Sequence, residues 1–152
     1  MLQVVLVHPL IPQNTGNIAR TCAATRTPLH LVEPLGFELS DRYLKRAGLD
    51  YWPYVNVRIH PSLDELKQAC PTIPGSARWV CFSVRGQQAY TEYKFQSGDC
   101  LLFGSETEGL PDGVLTSHDT VYIPMAEPGV RSLNLSVSVA VGLFEARRQL
   151  GL

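Results

Sequence analysis

The chain has 152 residues, 45% of them hydrophobic and 18% charged, with a formal net charge of -1. That is enough apolar material for a domain core without disulfides or a structural metal, and it excludes disordered, fibrous and collagen-like chains. The near-neutral balance also excludes a general nucleic-acid coat, so any nucleic-acid contact must be local.

Leu2 to Val7 is a β-branched apolar run stopped by Pro9 and Pro12, and it predicts a first strand. This opening has no basic flank, and no stretch approaches about 18 unbroken apolar residues; no signal peptide or membrane span is expected, and the setting is cytoplasmic. Asn14-Thr15-Gly16-Asn17 offers side chains that cap a helix, with Ile18 and Cys22 four apart on its inner face and Arg20 pointing away. Leu29 to Glu33 predicts a second strand, Asp41 to Ala47 a helix with Arg42, Lys45 and Arg46 on one side, and Val55 to His60 a third strand. Ser62 and Glu65 make a capping-box pattern that opens a short helix closed by Cys70-Pro71. Arg78 to Val84, Cys100 to Phe103 and Val121 to Ile123 are short apolar runs of the kind that fill a buried parallel sheet.

Leu133 to Val139 alternates like a strand, whereas Ala140 to Leu150 follows a helical pattern. A single helix from about Leu133 would be apolar nearly all round at its start and would need a subunit interface to cover it. Strands and helices alternate with no repeat or dividing linker. The prediction is therefore one α/β domain over residues 1–152, a mostly parallel sheet with helices on both faces.

Cys22, Cys70, Cys81 and Cys100 lie 48, 11 and 19 positions apart with no CxxC pair, so they read as reduced thiols, mostly in the core. His8, His30, His60 and His118 are equally scattered, and no metal site is expected.

In an open parallel sheet ligands sit beyond the carboxyl ends of the strands, which singles out three loops. Asn14 to Arg20 combines Gly16 with an arginine one turn later; on these residues alone a capped helix with a solvated arginine is the favoured interpretation. Phe103-Gly104-Ser105-Glu106-Thr107-Glu108-Gly109-Leu110-Pro111 imitates the glycine spacing of a phosphate loop. Leu110-Pro111 replaces the required Lys-Ser/Thr, and Glu106 and Glu108 would repel phosphate, so the loop suits a cationic or neutral ligand or, equally on these residues, is a tight turn before a helix. Ile123 to Ser136 brings the small polar Ser132, Asn134 and Ser136 into an apolar setting, where they cap the helix, Ser132 first, or serve a ligand.

Taken in this order, the three loops resemble the three motifs of the SPOUT class of S-adenosylmethionine-dependent RNA methyltransferases, over essentially the whole chain. Ile11 to Arg20, Glu33-Pro34-Leu35-Gly36-Phe37 and Arg46-Ala47-Gly48-Leu49-Asp50-Tyr51 are similar to the small wobble-position tRNA 2'-O-methyltransferases within that class. The resemblance implies a SPOUT fold with a C-terminal deep trefoil knot, S-adenosylmethionine as methyl donor with S-adenosylhomocysteine as product, and no metal. It implies cofactor contacts at Phe82, Gly104, Ile123, Ser132 and Leu133, a reaction centre of Arg20, Ser132 and Asn134, and RNA contacts at Arg20, Arg42 and Arg46. The implied partners are tRNA and a second copy of the chain, packed through the first and last helices. The implied reaction moves a methyl group to the ribose 2'-oxygen of the first anticodon nucleotide, cytidine or uridine.

In relatives the residue matching Arg20 is sometimes assigned as general base, but a guanidinium with a pKa above about 12 is better suited to clamping a phosphate or stabilising an oxyanion. Two departures stand out: Phe144 occupies a position where relatives can carry tyrosine, and the loop Ala126 to Arg131 is one residue longer than in some of them. The basic surplus lies in the first 60 residues, net +2, against a net -3 for the remainder. The alternatives are a SPOUT enzyme acting on another RNA such as ribosomal RNA, a knotted RNA-binding module without catalysis, and, least favoured for want of a phosphate loop, a flavodoxin-type nucleotide binder.

Overall fold

Apolar runs too short for helices become the strands of one parallel sheet, seen in a computed structural model that describes residues 1–48, 51–75 and 77–152. Leu49 and Asp50 of the Arg46 to Tyr51 motif lie outside the described residues. In chain order the elements are β1 Gln3–Val7, α1 Pro12–Thr25, β2 Leu29–Val32, α2 Arg42–Gly48, a 3-10 turn Trp52–Tyr54, β3 Val57–His60, α3 Leu63–Ala69, β4 Trp79–Phe82, β5 Gln88–Ala89, β6 Cys100–Phe103, α4 Asp112–Ser117, β7 Asp119–Tyr122 and α5 Leu135–Leu150. The sheet order is β3-β2-β1-β6-β4-β7-β5, and every neighbouring pair is parallel.

Period-two alternation divides the core into two layers. Val4 and Leu6 of β1 point with Leu101 and Phe103 toward Ile18, Ala19 and Cys22 of α1 and Val139, Leu143 and Ala146 of α5. Val5 and Val7 point the other way, with Cys100 and Leu102, toward Leu66 of α3 and Val114 of α4. Helices therefore cover both faces, and β2, β4 and β6 are buried along their whole length. All four cysteines are free and buried, and burial pushes the Cys22 and Cys81 thiols up to about 12, which keeps them protonated.

Two local expectations give way, and two short elements appear that the sequence did not announce. Helix α1 starts at Pro12, whose fixed φ suits the first helical position, so Asn14 to Asn17 lie inside the helix and none of them caps it. The alternating segment from Leu133 is helical from Leu135, and its cap is Asn134, not Ser132: Asn134 Oδ1 accepts from the Ser136 and Val137 amides at 2.9 and 3.4 Å. The two-residue β5 and the short α4 follow no periodic pattern and arise from tertiary contacts.

The fold also joins histidines that sequence spacing keeps apart. His30 Nδ1 lies 2.8 Å from His60 Nε2, and His30 Nε2 lies 2.7 Å from Gln3 Oε1, all within the buried β1-β2-β3 face beside Cys70. The Gln3 oxygen only accepts, so His30 donates to it from Nε2. Burial, then the neighbouring His30, holds the His60 pKa below the ordinary value of 6.5. The unfolded chain thus binds this proton more readily, and the stability present above about pH 6.5 is lost as pH falls from there toward the folded value. The urea midpoint is expected to drop between pH 7 and pH 5 and to drop less in His60→Leu, where only His118, also held low by burial, still contributes; a wild-type midpoint that holds constant over that range contradicts the lowered His60 pKa.

Candidate active site

At the carboxyl ends of β4, β6 and β7 the chain turns into three loops that, with the starts of α1 and α5, enclose a cleft of about 590 Å³. That volume suits a small organic ligand. Phe82 ends β4, Gly104 follows β6, Ile123 follows β7, and Ser132, Leu133 and Asn134 lead into α5; all six line this one cleft. Phe82 stacks on Phe103 with ring centroids 4.6 Å apart, giving the cleft an apolar floor.

The loop after β6 doubles back on its own strand end. A Cβ on Gly104 would sit 2.0 Å from the Gly109 carbonyl carbon and 2.2 Å from the Leu110 amide, so no other residue fits without moving the loop. Gly109 has φ +68, in the left-handed region, and its amide donates to the Ser105 carbonyl at 3.1 Å. The glycine pair is therefore a folding requirement of the cleft wall, and it leaves backbone rather than side chains facing a ligand.

One carboxylate links this loop to α1. Glu106 accepts from the backbone amides of Leu10 at 3.0 Å and Ile11 at 2.6 Å, and from Asn14 Nδ2 at 3.4 Å. Helix α1 has no side-chain cap of its own, so Glu106 supplies the anionic acceptor that its N-terminus needs. Asn14 Oδ1 in turn accepts from Asn134 Nδ2 at 3.0 Å, while Asn134 Oδ1 accepts from the Ser136 hydroxyl at 2.6 Å. The carboxylate expected to favour a cationic ligand is thus committed to a helix end, and the amide of Asn134 is engaged on both sides.

Arg85 and Arg131 line the cleft, whereas the basic residues expected to meet RNA lie elsewhere. Arg20 is exposed on α1, and it does not line the cleft of its own chain. It follows Asn14 by six residues, about 9 Å along the helix and a third of a turn round it. Arg42 and Arg46 are exposed on α2, which packs against α1. The residues that sequence reasoning missed are Glu106 as a cap and Asn14 as its relay. Asn14 sits in a conspicuous motif, but Glu106 meets partners 95 and 96 positions away, and no local spacing carries that contact.

Residues 1–144 match the SpoU rRNA Methylase family. The chain belongs to that family. A tRNA (cytidine(34)-2'-O)-methyltransferase of Burkholderia ambifaria is 49% identical over 154 residues, covering 99% of this chain and 97% of the relative. A structure solved in work on the 2-OH methylation of C/U34 on tRNA superposes with a TM-score of 0.94 at 54% identity, covering 99% of this chain and 97% of that one. The SpoU methyltransferase AviRb from Streptomyces viridochromogenes, in complex with the cofactor AdoMet, matches at TM-score 0.88 and 27% identity over 99% of this chain and 58% of its own. The α/β fold read from the strand pattern is that of SpoU enzymes.

Glu106→Gln removes the charge that faces the helix end and sets an amide donor against amide donors. It should destabilise the chain by about 1–3 kcal/mol, while the exposed Glu108→Gln stays within about 0.5 kcal/mol, both read from denaturant midpoints. Equal midpoints for the two variants would remove Glu106 from its capping role.

Proposed function

We propose that this SpoU-family chain is an S-adenosylmethionine-dependent tRNA 2'-O-methyltransferase acting on the ribose of the wobble nucleotide, cytidine or uridine 34. The observation that carries the reading is convergence: Phe82, Gly104, Ile123, Ser132 and Leu133, contributed by four separate stretches of chain, line a single cleft. Near-full-length similarity to a named cytidine(34) enzyme and to the C/U34 structure supports the substrate, and the AviRb complex supports the methyl donor. The cleft fits that donor in kind, since a backbone-lined glycine turn and an apolar floor accept an uncharged ring and a flexible chain without needing a phosphate site. The donor, when bound, supplies a methyl group on a sulfonium, already a good leaving group.

The difficult part of the reaction is the weakly acidic 2'-hydroxyl, which must lose its proton as the bond forms. Arg20 is a poor proton acceptor and a good partner for a phosphate or a developing oxyanion, so its role is electrostatic and orienting. Asn134 holds the cleft wall to α1 through Asn14, and Ser132 lines the cleft on the side where α5 begins. Arg42 and Arg46 extend the cationic face of α1 and α2 toward the RNA backbone. The reading extends to one domain over residues 1–152, to a cytoplasmic setting, where its tRNA substrate resides, and to a threaded C-terminal knot, which tracing residues 104–134 in a crystal structure tests. No helix among the described residues is long and apolar enough to cross a membrane.

The test is transfer of labelled methyl from S-adenosylmethionine to cell-derived tRNA lacking this modification, with the product located by nuclease digestion and mass spectrometry. A 2'-O-methyl group at nucleotide 34 is expected; methylation of ribosomal RNA instead, or donor binding without transfer to any RNA, would replace this reading with one of its rivals. Arg20→Ala should abolish transfer with donor affinity nearly unchanged, whereas Gly104→Val should lose donor binding itself.

The active unit we propose is a homodimer. Val137 and Phe144, seven apart on α5, are 46% and 53% exposed, an apolar strip suited to a second copy, and Phe144 brings ring packing without a hydroxyl. Since Arg20 stands outside its own cleft, the partner's cleft is the one it serves. A heterodimer of one Arg20→Ala chain and one Gly104→Val chain should then regain about half of wild-type activity, because one site is whole; an inactive heterodimer means that each arginine serves its own chain.

A further inference from the structure

Arg20 leaves an exposed helix face, where a long side chain loses rotamer freedom only if something holds it. Its guanidinium carbon lies 4.5 Å from the centroid of the Tyr51 ring, and Nη2 donates to the Tyr51 hydroxyl at 3.1 Å. Tyr51 is the residue that opens the 3-10 turn, and that turn packs on α1. The two contacts act on different parts of the group: the ring fixes the plane of the guanidinium and the hydroxyl fixes its rotation within that plane.

We infer that Tyr51 is a positioning residue for methyl transfer, holding Arg20 in the orientation in which it meets the RNA ribose-phosphate. The inference rests on the function proposed above. A carboxylate at this place would fix the guanidinium more firmly, but a bidentate pair would occupy two N–H donors and cancel the charge that the substrate needs. Tyr51 takes one of the five donors, and its ring face attracts the cation without neutralising it. The full positive charge and the remaining donors stay available to an anion. Tyr51 itself is 38% exposed, and α2 alongside carries the exposed Arg42, Lys45 and Arg46, so the pair lies open beside a group of basic side chains.

Tyr51→Phe keeps the ring and loses the hydroxyl, whereas Tyr51→Leu loses both. On tRNA lacking the modification, Tyr51→Leu should lower kcat about tenfold and Tyr51→Phe about threefold, with KM for S-adenosylmethionine unchanged in both. In an Arg20→Lys background the same Tyr51→Leu change should alter kcat less than about twofold, because the planar group it positions is gone. Wild-type kcat in Tyr51→Leu, or a tenfold loss that persists undiminished beside Arg20→Lys, overturns the assignment. A second readout needs no catalysis: 15N relaxation of the Arg20 Nε–H group should report an ordered side chain in the wild type and a mobile one in Tyr51→Leu, and unchanged relaxation also overturns it. Failure of the wild-type chain to methylate tRNA, with that relaxation difference present, would instead fall on the proposed function.

Discussion

The architecture of the site depends on where the first helix finds its acceptor. Helix α1 begins with Pro12 and has no side-chain cap of its own; Glu106, on the loop after β6, accepts from the Leu10 and Ile11 amides just before it and from the Asn14 side chain. Hydrophobic packing of Ile18, Ala19 and Cys22 would bring α1 onto the sheet without setting its rotation or its advance along the strands, because that force has no direction. Three hydrogen bonds to one carboxylate set both. Through Asn14 and Asn134 the same linkage reaches the start of α5, so the cleft walls are held in mutual register by polar contacts rather than by packing alone.

This arrangement divides labour between two regions of the molecule. The cleft is built from glycine backbone, an aromatic floor and small polar side chains engaged with one another, with Arg85, Glu108 and Arg131 along its lining, which suits a small, shape-selected ligand. The exposed arginines of α1 and α2 sit outside it, where a polyanion approaches. A chain with a net charge of -1 can therefore recognise nucleic acid locally, because the first 60 residues carry a net +2, their cations being offset by only four carboxylates.

The sequence made the sheet legible because burial on both faces leaves short β-branched runs such as Val4 to Val7 and Cys100 to Phe103, which few helices contain. The start of α5 was ambiguous for a physical reason: Ser136 and Ser138 alternate with Leu135, Val137 and Val139, so the period-two and helical patterns coincide for one turn and a half. The cleft residues were legible through motif resemblance, since Gly104 is required by a backbone collision that only glycine avoids. Long-range polar contacts were not. Glu106 reaching Ile11, His30 meeting His60 and Tyr51 holding Arg20 join residues 95, 30 and 31 positions apart, and no local period encodes such pairings.

The strand order has its own bearing on how the molecule is made. β1 finds its inner neighbour only in β6, with Gln3 opposite Cys100 and Leu6 opposite Phe103, so one side of the first strand stays unpaired until almost a hundred further residues exist. At a synthesis rate of roughly 5–20 residues per second that interval lasts about 5–20 s. During it β1, β2 and β3 form at most a half-sheet whose bare edge is Gln3 to Val7, five residues with the composition of an aggregation-prone strand. The period of greatest vulnerability for this fold therefore falls on the ribosome, before the strand that closes the sheet has been translated.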